Sequence, residues 1–69
     1  MNEWIEQRAA ALGVEGLTPE EIAQLLDLAA HAAHESGART NAPLLCYLVG
    51  RAQGDRTLDE LVEIVRSTS

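Results

Sequence analysis

Thr18-Pro19-Glu20-Glu21 and Thr57-Leu58-Asp59-Glu60 constrain this chain more than any other feature, because each is a complete helix start. A threonine followed three residues later by glutamate forms a capping box. The hydroxyl accepts a hydrogen bond from the backbone N–H of the third helical residue, and the glutamate carboxylate accepts one from the threonine's own N–H. Pro19 takes the first helical position, where a missing N–H costs nothing, and Leu17 with Ile22 can close a hydrophobic staple over that start. Behind the second box Leu58, Leu61, Val62 and Val65 follow at i, i+3, i+4 and i+7. This spacing predicts a helix over 58–66, with Arg66 suited to its negative end.

Behind the first box the same periodicity runs longer. At 100° per residue, Ile22, Leu25, Leu26, Ala29, Ala32 and Ala33 gather on one side, while Glu20, Gln24, Asp27, His31, His34 and Glu35 gather opposite. The pattern predicts an amphipathic helix over 19–36 that stops at Ser36-Gly37, with alanines that let a neighbouring helix come close. A shorter helix is expected over 3–12, capped by Asn2, with acidic Glu3 and Glu6 in its first turn and Gly13 just past its end. Another is expected over 42–53, with Asn41 as its cap and Gly54 as its stop. Leu44 to Val49 within it is apolar nearly all round, which marks this helix as the central, most buried element; a strand is the alternative for that run. Gly50 inside the helix costs about 1 kcal/mol relative to Ala, a cost that close contact with another helix would explain.

The expected fold is therefore all-α: a four-helix bundle-like single domain over 1–69. The chain is near the lower size limit for a domain, and 11 of its apolar residues are Ala, so the core is thin. A homodimer that covers leftover apolar surface follows as an expectation. Eleven acids face five arginines and no lysine, giving a net charge of -6. That balance argues against nucleic acid and anionic membranes, which draw on clustered Lys and Arg. The acidic start Met-Asn-Glu-Trp-Ile-Glu is unlike a signal peptide, and a cytoplasmic location is expected.

Few residues suggest chemistry. Asp27, His31 and His34 fall on neighbouring positions of one helix face and could offer three metal ligands, but the fourth ligand that a structural zinc site wants is not recognisable, and no metal or other cofactor is expected. Cys46 is a lone thiol in an apolar run and reads as a small buried hydrophobe. No phosphate loop, catalytic triad spacing or Cys pair occurs, so no catalytic residue is assigned and the chain is expected not to be an enzyme. The size and acidity resemble an acyl carrier protein, but the Asp-Ser attachment step is missing.

Leu25-Leu26-Asp27-Leu28-Ala29, Ala33-His34, Arg39, Ala42-Pro43-Leu44 and Tyr47-Leu48-Val49-Gly50, together with Glu3-Trp4-Ile5 and Ala11-Leu12-Gly13, give the chain a further likeness. It resembles a small bacterial domain family of unknown function that occurs alone or fused behind a MobA-like molybdenum cofactor guanylyltransferase. The resemblance implies a non-enzymatic accessory role in molybdopterin guanine dinucleotide synthesis or delivery, with the guanylyltransferase as protein partner. If the family has a functional patch, Asp27, His34 and Arg39 are its candidates: Arg39 to meet an anionic group, Asp27 to orient His34. Binding of a small ligand or a metal by the Asp27, His31 and His34 face is the alternative, and a structural homodimer is another.

Overall fold

All four expected helices form in the computed structural model, which describes residues 2–68. The helices are α1 (Glu3–Leu12), α2 (Pro19–Ser36), α3 (Asn41–Ala52) and α4 (Leu58–Ser67), and no strand occurs among the described residues. Both capping boxes form. The Glu21 N–H donates to Thr18 Oγ1 at 3.1 Å, and the Thr18 N–H donates to Glu21 Oε1 at 2.8 Å. The Glu60 N–H donates to Thr57 Oγ1 at 3.2 Å, and the Thr57 N–H donates to Glu60 Oε1 at 3.5 Å. Asn2 caps α1 by accepting from the Ile5 N–H, and α2 ends on Gly37 at φ 71°, a left-handed conformation that a side chain would oppose.

α3 starts differently from expectation. Asn41 lies inside the helix, Thr40 stands at the cap position, and no side chain caps this end. The first turn is secured by backbone bonds, Asn41 N–H to the Ala38 carbonyl and Ala42 N–H to the Arg39 carbonyl, each 3.1 Å. At the other end Arg56 donates to the Ala52 carbonyl at 2.7 Å and satisfies one of the carbonyls a helix terminus leaves open.

The core cluster takes one large residue from each of three helices, and the small side chains of Ala9 on α1 and Ala32 on α2 are buried besides. Leu28 of α2, Val49 of α3 and Leu61 of α4 meet, with Leu25, Leu45, Leu58 and Val65 packed around them. α2 lies under both partners, so it is the central element, and Leu28 at 0% exposure is its most enclosed side chain. This overturns the expectation that Leu44 to Val49 would form the buried centre. α3 rests on α2 by one side only, and Leu44, Tyr47 and Leu48 on its outer side are 60%, 64% and 54% exposed. An apolar run records which residues avoid water in isolation, but a peripheral helix can bury only the side that meets a neighbour.

The inward face of α2 is also turned from the periodicity reading. Leu28 replaces Leu26 on it, and Leu26 is 68% exposed. α2 meets α3 along one edge and α4 along the other, which broadens its buried arc beyond a single stripe. Gly50 likewise departs from expectation: a Cβ there would meet nothing within 4 Å, so no close helix contact accounts for it.

Candidate functional site

Part of the polar side of α2 forms the seam with α4. The Gln24 amide donates to the Asp59 carboxylate, and Arg66 pairs with Asp27, joining the middle of α2 to the end of α4. Glu20 and Gln24 share a cleft with Leu58 and Asp59 at one end of that seam. At the other end His31, Glu35 and Ser36 of α2 face Asn41 and Leu45 of α3 and Val65 and Thr68 of the α4 end. The same residues set the direction of the helices: the start of α3 lies beside the end of α4, so these two run antiparallel.

The candidate residues are thereby separated. Asp27 is committed to Arg66. His34 is exposed in the last turn of α2, and Arg39 is exposed in the turn leading into α3. Among the described residues no hydrogen bond or ion pair joins Asp27, His34 and Arg39 to one another. His31 is half-buried and lines the cleft, away from the solvent side where His34 lies. No group of three or more His, Cys, Asp or Glu side chains among the described residues is placed to hold a metal ion. Cys46 is half-buried beside Val49 and Gly50, in a cleft shared with Leu17 and Leu25.

The cleft around His31 measures about 380 Å³, with Ala32, Leu45 and Val65 as its apolar floor and His31, Glu35, Asn41 and Thr68 at its polar rim. Ser36 does not offer its hydroxyl freely, since that group donates to the Ala32 carbonyl at 2.6 Å. Sequence reasoning did not assemble this cleft. His31 and Glu35, four apart on one helix, were readable as neighbours, but nothing local ties them to Asn41 or Thr68.

The most distinctive property of the molecule is apolar and external. Among the described residues three side chains larger than Ala are buried, Leu28, Val49 and Leu61, whereas eight large apolar residues are more than half exposed. Seven of them fall in two regions, and the eighth, Leu26, is on α2. Trp4, Leu12 and Val14 lie on α1 and the turn after it, with the Arg8 guanidinium 4.1 Å from the centre of the Trp4 ring. Leu44, Tyr47 and Leu48 lie on α3, with Ile64 across a groove on α4. No described helix is long and apolar enough to cross a membrane.

A family model, the Domain of unknown function (DUF6457), matches residues 1–69. The chain belongs to this family. Neither a curated protein nor a solved structure matches it. The match covers all four helices of this DUF6457 domain, including α1, which stands outside the core cluster.

Proposed function

We propose that the chain is a non-enzymatic protein-interaction module of the bacterial cytoplasm, an accessory of molybdopterin guanine dinucleotide synthesis that docks on a MobA-like guanylyltransferase. The observation that carries the interaction role is the excess of large apolar side chains outside the core over those within it. Large exposed apolar patches mark contact surfaces. The link to the guanylyltransferase rests on the sequence resemblance alone.

α1 supplies the docking element in this reading. It adds nothing to the cluster formed by α2, α3 and α4, yet it presents Trp4 and Leu12 to solvent and stacks Arg8 on the indole. Trp and Arg are the residue types most enriched among energetic hot spots, because both combine broad apolar area with directed polar contact. A titration of the full chain into a MobA-like guanylyltransferase from the same cell tests the proposal. Saturable binding that weakens at least about tenfold in a Trp4→Ala, Leu12→Ser double variant is expected. No binding, or binding indifferent to these substitutions, refutes it.

A second reading, as a small-ligand binder, finds support in the cleft around His31, where polar groups converge over an apolar floor. Its Asp27, His31, His34 form is weakened by the commitment of Asp27 to Arg66. Screening of metabolites for a thermal shift that His31→Ala abolishes would favour the cleft, and an empty screen would count against it.

A further inference from the structure

The cleft around His31 is built for one sign of charge. Its lining contains a carboxylate, Glu35, and no Arg side chain. Among the described residues no ion pair or side-chain hydrogen bond engages that carboxylate. Four of the five arginines are occupied elsewhere: Arg8 on the Trp4 ring, Arg51 on the Tyr47 ring, Arg56 on the Ala52 carbonyl and Arg66 on Asp27. The fifth, Arg39, is exposed in the turn before α3 and does not line the cleft. α2 and α4 both end there, through Ser36 and Thr68, and each brings the negative end of its dipole. α3 starts there, but its positive end has little to give an anion. The Asn41 and Ala42 N–H groups are bonded to the Ala38 and Arg39 carbonyls, and Pro43 has no N–H. The Thr68 hydroxyl donates to the Ile64 carbonyl at 2.9 Å, so what it offers the cleft is an acceptor oxygen. Donors in the lining are limited to the His31 ring and the Asn41 amide.

We propose, resting on the reading of this cleft as a ligand site, that it takes a small organic ammonium ion: a primary amine carrying one compact alkyl group. The ammonium has three N–H donors, and Glu35, Thr68 and the Asn41 amide oxygen supply acceptors for them. The alkyl group lies on Ala32, Leu45 and Val65. Both halves of the ligand are needed. A bare metal cation leaves the apolar floor wet and finds one carboxylate, where no group of three ligands is assembled among the described residues. A carboxylate or phosphate meets Glu35 and two negative helix ends, in a chain of net charge -6. A neutral molecule of the same shape covers the floor but leaves the carboxylate unanswered. At about 380 Å³ the cleft is at the small end of ligand sites, which selects a compact body. Glu35 is exposed, so the charge pair is screened by solvent and binding is weak, with a Kd of roughly 0.1–10 mM.

Titration of the isotope-labelled full chain with isopentylamine, isopentanol and isovalerate, followed by amide NMR at constant salt, tests the proposal. The three probes share one branched alkyl group and differ in charge. Saturable shifts centred on His31, Glu35, Asn41 and Leu45 are expected with isopentylamine, at a Kd at least about fivefold below that of isopentanol, and no saturation with isovalerate. Glu35→Gln, at an exposed position, is expected to bring the amine to the affinity of the alcohol and to leave the alcohol unchanged. Alcohol or carboxylate binding in the cleft as tightly as the amine, or amine binding indifferent to Glu35→Gln, would overturn the ammonium assignment and leave the cleft a ligand site of another kind. Shifts that spread over the acidic surface without saturating, with none of the three probes held in the cleft, would overturn the assignment and the ligand-site reading together.

Discussion

Leu28 and Leu26 provide a sharp measurement of how α2 is oriented. Both are leucines two residues apart in one helix, so replacement by alanine changes helix propensity by nearly the same small amount. Their surroundings differ completely. Leu28 is fully buried where three helices meet, against Val49 and Leu61, with Leu25, Leu45, Leu58 and Val65 around them. A cavity there borders all three helices, so a shift of one alone cannot fill it. Leu28→Ala should therefore cost about 3–5 kcal/mol. A domain of this length is stabilised by roughly 3–10 kcal/mol, so the variant loses a large part of its stability and can be largely unfolded in buffer. Leu26 is 68% exposed, and removing its side chain forfeits only about a third of a leucine's burial, roughly 0.5–1 kcal/mol. Urea unfolding followed by far-ultraviolet circular dichroism, at one fixed protein concentration, compares the two. Equal costs, or a greater cost for Leu26→Ala, would put the core on the stripe that periodicity alone draws and refute the packing described above.

Glycines 50 and 37 should respond in opposite directions. Gly50→Ala, with open space around the added Cβ and a helical backbone, gains roughly 0.5–1 kcal/mol, whereas Gly37→Ala at φ 71° loses about 1–2 kcal/mol; thermal melts that reverse these signs would contradict the backbone geometry. Thr18→Ala and Thr57→Ala should each cost about 1 kcal/mol, and additively in the double variant because the boxes share no partner. Strong non-additivity in denaturant titrations would show the two starts to be coupled. Breaking the Asp27–Arg66 pair with Asp27→Asn should cost less than about 1 kcal/mol and nothing measurable in high salt, since both groups are substantially exposed. A larger, salt-independent loss would mean that the seam with α4 is far less solvated than its exposure indicates.

The candidate patch shows where sequence reading fails. Asp27 was readable as a charged residue on the polar side of a helix, but its partner Arg66 lies 39 residues away, with no local pattern connecting them. His31 and His34 are three apart, yet one lines a cleft and the other faces solvent, because the edge of the α4 seam passes between them. Arg51 and Tyr47, four apart on α3, are neighbours by helix geometry alone, and the guanidinium lies 5.0 Å from the ring centre.

What the sequence by itself determined are the helices and most of their ends: the threonine boxes, Asn2, Gly13 and Gly37 act on backbone groups within four residues, so the information is local. Tertiary structure decided which sides of those helices are inside. Leu26 and Leu28, or Leu48 and Val49, differ little in chemistry, and only the placement of neighbours determines which of them leaves water. Burial is a property of the assembled helices, and α2, flanked by two others, acquires it where the more apolar α3, supported on one side, does not.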